Sequence, residues 1–277
     1  MIINEAVLFW PPVPQAAIEL VGAYLQAGRA RAHVHEEWQF AVPESPSKLL
    51  VGAFRRLSAR PIDVTVVRPY EVHAESGGTG PAPNWRVLYV APSLLARAWP
   101  GGAAAAGPVL TDPAAALELG ALLRGSEDGT IDGPEFMLRT LRWLEQLLHH
   151  HPAEGTMPTR MPAVERARKY LQERATRPVS LSEVASVAGV TVSHLVRSFS
   201  RAVGLPPKSY HAQVRLAHAR QLLAQGKSAT WVAYECGFAD QSHLSRRFKE
   251  CYGLTPGAFQ GQYRGQRVAA GVDSNAA

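Results

Sequence analysis

A pattern that occurs twice constrains this chain more than any other feature. Ser193-His194-Leu195-Val196-Arg197-Ser198-Phe199 returns as Ser242-His243-Leu244-Ser245-Arg246-Arg247-Phe248. Each copy follows a glycine (Gly189, Gly237) that Val-Ala precedes at the same distance, Val184-Ala185 and Val232-Ala233. Each is followed by Gly-Leu-x-Pro, beginning at Gly204 and at Gly253. The front halves repeat at 48 residues and the back halves at 49, so the second turn carries one extra residue. A short helix, a tight turn and a second helix, repeated once, is the sequence form of two helix-turn-helix units.

The first unit reads residue by residue. Ser180 and Glu183 form a capping box ahead of Leu181, Val184 and Val187, the apolar stripe of a short helix. Gly189 supplies the positive φ of the turn. Thr191 caps a second helix whose core face is Leu195, Phe199 and Ala202. The opposite face carries Ser193, Arg197, Ser200 and Arg201. In the second unit Ser228 is the cap, Leu244, Phe248 and Cys251 point inward, and Ser242, Arg246, Lys249 and Glu250 point outward. Arginine at mid-face pairs in a bidentate way with guanine, and small hydroxyls bond base edges or phosphates, so both faces suit a helix in the major groove. The plain alternative is a helical domain with two solvated basic faces; two such faces in register argue against it.

Residues 163–264 resemble the DNA-binding domain of the AraC/XylS family of bacterial transcription regulators. The resemblance rests on Val232-Ala233, Gly237-Phe238, Asp240-Gln241-Ser242, Leu244, Arg246-Arg247-Phe248-Lys249, Gly253, Thr255-Pro256 and Phe259. Gln260 departs from it, standing where the family commonly has arginine, which removes either a phosphate contact or a structural pair. From the outward faces and the repeat, the candidate DNA-contacting residues are Ser193, Val196, Arg197, Ser200 and Arg201 in the first unit, and Gln241, Ser242, Ser245, Arg246 and Lys249 in the second. Val196 stands where the second reader has Ser245, so a thymine-methyl contact is expected there.

Charge agrees. The net +6 hides an asymmetry: residues 1–160 hold 13 Lys and Arg against 16 Asp and Glu, whereas residues 161–270 hold 16 against 6. The back part is therefore the polyanion-binding part. Cys236 and Cys251 read as small core residues in a reducing compartment. No signal peptide opens the chain and no apolar run approaches membrane-spanning length, so a cytoplasmic protein without a membrane partner is expected.

Residues 1–110 read as β. Ala17 to Leu25 alternates, Ile62 to Val66 alternates, and Trp85 to Val90 is an apolar-rich run, with Pro43 to Pro46 and Gly77 to Pro83 as punctuation. Short strands in such a stretch suggest a small barrel or jelly roll. His33-Val34-His35-Glu36-Glu37-Trp38-Gln39, Pro69-Tyr70-Glu71-Val72-His73 and Trp85 to Val90 resemble the cupin-type sensor domain that precedes many AraC-type domains. Two usual turn glycines are absent, with Ile62 and Tyr70 near those points. His33, His35 and His73, with Glu37 nearby, are the one constellation here able to bind a metal. The resemblance instead implies a small organic effector, with no metal or other cofactor, held by His33, His35, Trp38 and His73; Trp38 and Trp85 would be stacking walls.

Residues 111–150 switch to a helical period. Asp112-Pro113 starts one helix, with Gly125 near its end, and Pro134 opens another. In the latter, Met137, Leu141, Leu144 and Leu148 recur at a coiled-coil spacing over less than two heptads. That stripe serves equally as packing onto the chain's own barrel or as a dimer seam; the family resemblance favours dimerisation. His149 to Pro162 reads as linker, and the tail as disordered. Ser209 to Ala224 reads as one continuous helix joining the two units, which would present their recognition helices to one face of the duplex roughly 34 Å apart.

The expected fold class is thus α+β and multidomain. Residues 1–150 form a cupin-like barrel with trailing helices for sensing and dimerisation, 151–162 a linker, 163–264 an all-α double helix-turn-helix domain, and 265–277 a disordered tail. Two function classes compete. One is an effector-controlled transcription regulator, in the family's commoner habit an activator, with double-stranded DNA, a small-molecule effector, a second copy of the chain and RNA polymerase as partners. The other is a metal-dependent cupin enzyme carrying a DNA-binding module. DNA-repair regulators that pair this domain with an alkyl-accepting cysteine are excluded, because residues 1–160 contain no cysteine.

Overall fold

Alternation of apolar side chains builds two antiparallel sheets in the front half. The computed structural model describes residues 7–10, 18–23, 32–53, 55–76, 85–98, 107–152 and 161–269. The strands are β1 (Val7–Trp10), β2 (Ile18–Ala23), β3 (Trp38–Pro43), β4 (Ser47–Val51), β5 (Arg55–Ala59), β6 (Asp63–Val67), β7 (His73–Ser76) and β8 (Trp85–Val90); after α1 (Pro92–Ala98) comes β9 (Val109–Thr111). A six-stranded sheet runs β1-β2-β8-β3-β6-β9, and a three-stranded sheet runs β5-β4-β7. The three runs read as strands are β2, β6 and β8, with shifts of a residue or two at the ends of the first two. The Gly77 to Pro83 punctuation lies outside the described residues.

Each central strand has two buried faces. Phe40 pairs with Leu88 and Val66 across β3, β8 and β6. These residues, with Val42, Val64 and Val90, pack on α2 (Pro113–Glu127) and α3 (Gly133–His150) through Leu119, Leu123, Phe136, Trp143 and Leu144. Both helices begin as an N-cap rule demands: Asp112 accepts from Ala115 N and Asp132 from Glu135 N, each with proline in the first turn. Trp143 meets Phe40 edge-on and donates its Nε1–H to Ala115 O at 2.9 Å, which ties α3 to α2.

This packing corrects the dimer seam. Leu144 and Leu148 are buried in the chain's own core, and Met137 packs against it. The alternative use of the stripe, packing on its own sheet, is the observed one. Leu141 is half-buried, and the exposed apolar residues nearby are Leu138 and Leu117.

The back half is helical: α4 (Pro162–Gln172), α5 (Leu181–Ala188), α6 (Val192–Val203), α7 (Pro207–Ala224), α8 (Ala229–Glu235), α9 (Gln241–Tyr252) and α10 (Pro256–Ala269). The Ser180–Glu183 capping box forms, and Gly189 takes φ 71° to end α5. Leu195 and Phe199 are buried as expected, but Ala202 is exposed and Val203 packs in its place. Helix α10 continues through residues 265–269, part of the expected tail; residues 270–277, like linker residues 153–160, lie outside the described residues. The expected linker is bounded by structure: His151 is the C-cap of α3 and pairs with Asp112 at 3.0 Å, and α4 starts at Pro162. Among the described residues no helix is long and apolar enough to cross a membrane.

The halves meet along α7. Leu216, Ala219 and Leu223 close the inner face of the sheets against Ala41, Leu49, Val87 and Tyr89. At the other end, the Gly204 turn after α6 lies so close to the β4–β5 turn that a Cβ there would stand 2.6 Å from Gly52 O. Only glycine fits that approach, and φ 92° demands it independently.

Candidate nucleic-acid interface and the buried polar site

Helices α6 and α9 owe their exposed faces to the same local chemistry. Thr191 and Asp240 cap them by accepting from the backbone N–H of His194 and His243. Leu195/Phe199 and Leu244/Phe248 anchor the inner face. The rest of each surface is left to solvent. Ser193, Arg197 and Arg201 are exposed on α6, and Val196 and Ser200 are half-buried. On α9, Gln241, Ser242, Arg246 and Lys249 are exposed and Ser245 is half-buried. Gln241 Oε1 accepts from Thr230 Oγ1 at 2.8 Å, so its side chain is held across the turn from α8. Arg197 and Arg246 each stand five residues after their helix start, opposite the Leu/Phe stripe. Arg197 and Arg201 also line a groove of about 340 Å³ between α6 and the first turn of α4.

An arginine from the preceding helix closes each turn. Arg166 of α4 donates to Ala188 O at 2.6 Å, and Arg215 of α7 donates to Cys236 O at 2.6 Å. These carbonyls end α5 and α8, where helical partners run out. Gln260 donates to Leu223 O and Lys227 O at 3.1 and 2.8 Å, so the residue that departs from the family pattern pins α10 to the end of α7.

Residues 184–262 match a family described as a helix-turn-helix domain. The HTH-type transcriptional regulator GlxA of Rhizobium meliloti is 32% identical over 139 residues, covering 46% of this chain and 42% of that protein. A solved transcriptional regulator from Chromobacterium violaceum, described as of the AraC-type DNA-binding domain-containing proteins, is 30% identical over 36% of this chain and 91% of that one, with a TM-score of 0.35. The helical half holds an AraC-type helix-turn-helix domain. The chain spans less than half the length of the curated relatives it matches. The fold as a whole also has a solved counterpart. Unsaturated fatty acid-bound ToxT of Vibrio cholerae covers 96% of this chain and 99% of its own, at 11% identity and a TM-score of 0.56. That likeness establishes a shared architecture, a sheet-containing front and a helical back.

The second site is the inner face of the sheet domain. His33, His35, Glu37 and Gln39 follow one another at period two; His35, Glu37 and Gln39 are buried and His33 is half-buried. His73 and Glu75, likewise two apart, face them. The rings of His33 and His73 lie 4.2 Å apart, those of His35 and His73 4.7 Å, and Tyr89 stands edge-on to His35 at 4.8 Å. His35 donates from Nδ1 to Glu37 O at 2.7 Å. Its ring is held well below the ordinary histidine range, by burial first and then by the neighbouring His73, His33 and Arg220 charges. Gln39 donates to Glu75 Oε1 at 2.6 Å. Burial works to raise the Glu75 carboxyl, but His73, His33 and the Gln39 bond together hold it below its ordinary value.

Three expectations change here. Trp38 sits on the opposite face of β3, half-buried beside Phe40 and against the α2–α3 core, because one step along a strand reverses the side chain. Trp85 is wholly buried among Ala41, Val87 and Leu49, a core residue of the inner face. Glu37 turns from the histidines to Arg220, whose Nη2 donates to its Oε2 at 2.6 Å. Glu75 takes its place beside His33 and His73, and these three hold donor atoms within 4.8 Å of one another. Glu75 and Gln39 were legible as period-two partners of His73 and His35; Arg220 was not, because nothing local marks a residue 183 positions away.

Proposed function

We propose that this chain is a ligand-responsive transcription regulator that reads a two-turn DNA site through α6 and α9. The observation that supports it is the pair of equivalent faces, Ser193/Arg197/Arg201 and Ser242/Arg246/Lys249, exposed on helices held by matching caps and matching arginine-closed turns. The sheet domain is read as a cupin-like sensor, with a small-molecule effector meeting the polar inner face at His33, His35 and His73; Trp38 drops out of that set. ToxT, of the same architecture, has been solved with a fatty acid bound, which supports a ligand-sensing role for a front domain of this kind. Glu37–Arg220 is the route by which the sensor would bias α7 and with it the spacing of the two readers. The reading extends to activation and contact with RNA polymerase. A homodimer built on α3 would use the Leu138 and Leu141 edge, since Met137, Leu144 and Leu148 serve the chain's own core.

Binding-site selection on the full chain tests the reading. Arg197→Ala and Arg246→Ala should each lose preference at one base pair at a cost of about 1–3 kcal/mol, the two pairs lying about one helical turn apart. Lys249→Ala should weaken all sequences alike and lower the log–log salt slope by about 0.9. If Arg246→Ala enriches the same bases as the parent, merely with lower affinity, the two faces are an electrostatic footprint and not readers.

A further inference from the structure

Among the described residues, His73 Nε2 is one of three buried side-chain atoms of the front half, with Trp85 Nε1 and Thr140 Oγ1, that no hydrogen bond satisfies. His73 donates from Nδ1 to Glu71 O at 2.9 Å, since a carbonyl oxygen only accepts, and with that proton in place the neutral ring presents a lone pair on Nε2. That Nε2 is buried, makes no hydrogen bond, and stands 3.5 Å from Glu75 Oε1. A lone pair aimed at a carboxylate oxygen out of reach of water is unfavourable unless positive charge lies between them. His33 completes the cluster from the neighbouring segment. Its backbone exchanges two hydrogen bonds with that of His73, at 2.9 and 3.0 Å, which sets the two imidazoles side by side. One donor atom from each of His33, His73 and Glu75 lies within 4.8 Å of the other two, so a small contraction brings all three onto one centre.

We propose that His33, His73 and Glu75 bind a single first-row divalent transition-metal ion, with zinc the best match to two imidazoles and one carboxylate. The surroundings already have the form of an outer shell. The Nδ1–H bond to Glu71 O orients the His73 ring with Nε2 inward, and the Gln39 amide holds Glu75 at 2.6 Å. His35 stays outside the ligand set, its Nδ1–H donating to Glu37 O at 2.7 Å. Three protein ligands leave a position for a further donor, which makes the ion a point of attachment for a small molecule and not a closed structural site. The same shell lies one residue pair from the domain contact, since His35 bonds the backbone of Glu37, whose carboxylate holds Arg220. The site stands on the geometry of the sheet domain alone and does not depend on the DNA-binding reading.

The test must separate this site from the His149-His150-His151 run at the end of α3, which attracts metal by composition alone. Full-length protein carrying His149→Ala, His150→Ala and His151→Ala, stripped with chelator, is titrated with Co²⁺ by visible absorption and with Zn²⁺ by equilibrium dialysis. One ion per chain is expected, with affinity falling about tenfold or more in Glu75→Gln and in His73→Asn. Zinc should raise the thermal midpoint of the parent and leave that of Glu75→Gln unmoved. Glu75→Gln preserves size and a hydrogen-bonding oxygen, so it reports on the ion even where His73→Asn fails to fold. No stoichiometric ion, or Glu75→Gln binding as tightly as the parent, would overturn the proposal, the second outcome leaving a proton as the charge between His73 and Glu75. DNA affinity measured on the same preparations tests the regulator reading separately.

Discussion

The two helix-turn-helix units differ most at one residue outside the repeated pattern. In the first, Arg166 closes the turn and the residue five positions on, Leu171, is buried in the unit's own core. In the second, Arg215 closes the turn and the residue five positions on is Arg220, buried to the same 2% exposure. Arg220 pairs with Glu37 of the sheet domain at 2.6 Å and lies over the Tyr89 ring at 5.0 Å. The same place in two similar units thus holds an apolar filler in one and a buried cation in the other. A cation there is tolerated only because another domain supplies its partner, so the second unit is tied by charge to the sheet domain while the first leans on it by contact at Gly204 and Gly52. Repetition made two like units, and a single departure from it tied one of them by charge to the sheets.

The largest effect should come from breaking that pair. Arg220→Met or Glu37→Gln alone leaves a buried group unpartnered and should lower stability by about 3–5 kcal/mol, whereas Arg220→Met with Glu37→Leu should recover most of the loss. Urea unfolding of the three variants decides it. A harmless Arg220→Met would mean that Arg220 is filler like Leu171, and the comparison fails.

The turns should respond unequally to a methyl group. Gly189 and Gly237 have φ 71° and 67°, so alanine at either costs about 1–2 kcal/mol of backbone strain. At Gly189 the added Cβ would meet Arg166 at 3.5 Å, an ordinary contact; at Gly237 it would meet Arg215 at 3.0 Å and press on the guanidinium that holds Cys236 O and lies over Phe238. Gly237→Ala should therefore be the more destabilising, by about 1 kcal/mol. Equal losses in thermal unfolding would show that the arginine yields freely in both units.

The smallest effect is the pH-dependent contribution of one histidine, His218. His218 of α7 stands 3.5 Å from Glu36, and the Glu36 bond holds the imidazole above its ordinary value against the opposing effect of burial. A raised folded-state value stabilises the protonated form, so the contribution is complete below about pH 6.5 and is lost as pH rises through the folded value. Its size should be under about 1 kcal/mol for a partly exposed pair. His218→Gln should flatten the parent's stability difference between pH 6 and pH 8; an unchanged difference would place its origin elsewhere.

Much of this could be read without coordinates. The Ser180–Glu183 box, the Thr191 and Ser228 caps, the glycine turn at Gly189 and the Leu195/Phe199 and Leu244/Phe248 stripes are all decided within four residues along the chain. The hydrogen bonds and the 3.6-residue period that create them are local. The strand at Trp85–Val90 was legible for the same reason. Periodicity also carried an error: it marked Met137, Leu144 and Leu148 as a stripe without saying what the stripe faces, and the answer is the chain's own sheet. Trp38 was assigned to the histidine face although its odd spacing from His35 puts it on the other.

What the sequence by itself determined is which elements form, where they end and which side chains share a face. What only the tertiary structure decided is who stands opposite: Glu75 beside His33 and His73, Gly204 against Gly52, and Arg220 on Glu37 across 183 residues. The physical reason is range. Caps, turns and stripes are set by bonds that close within a helical turn, whereas a buried charge acquires its meaning from a partner that only folding brings within 3 Å, and no neighbour in the sequence names it.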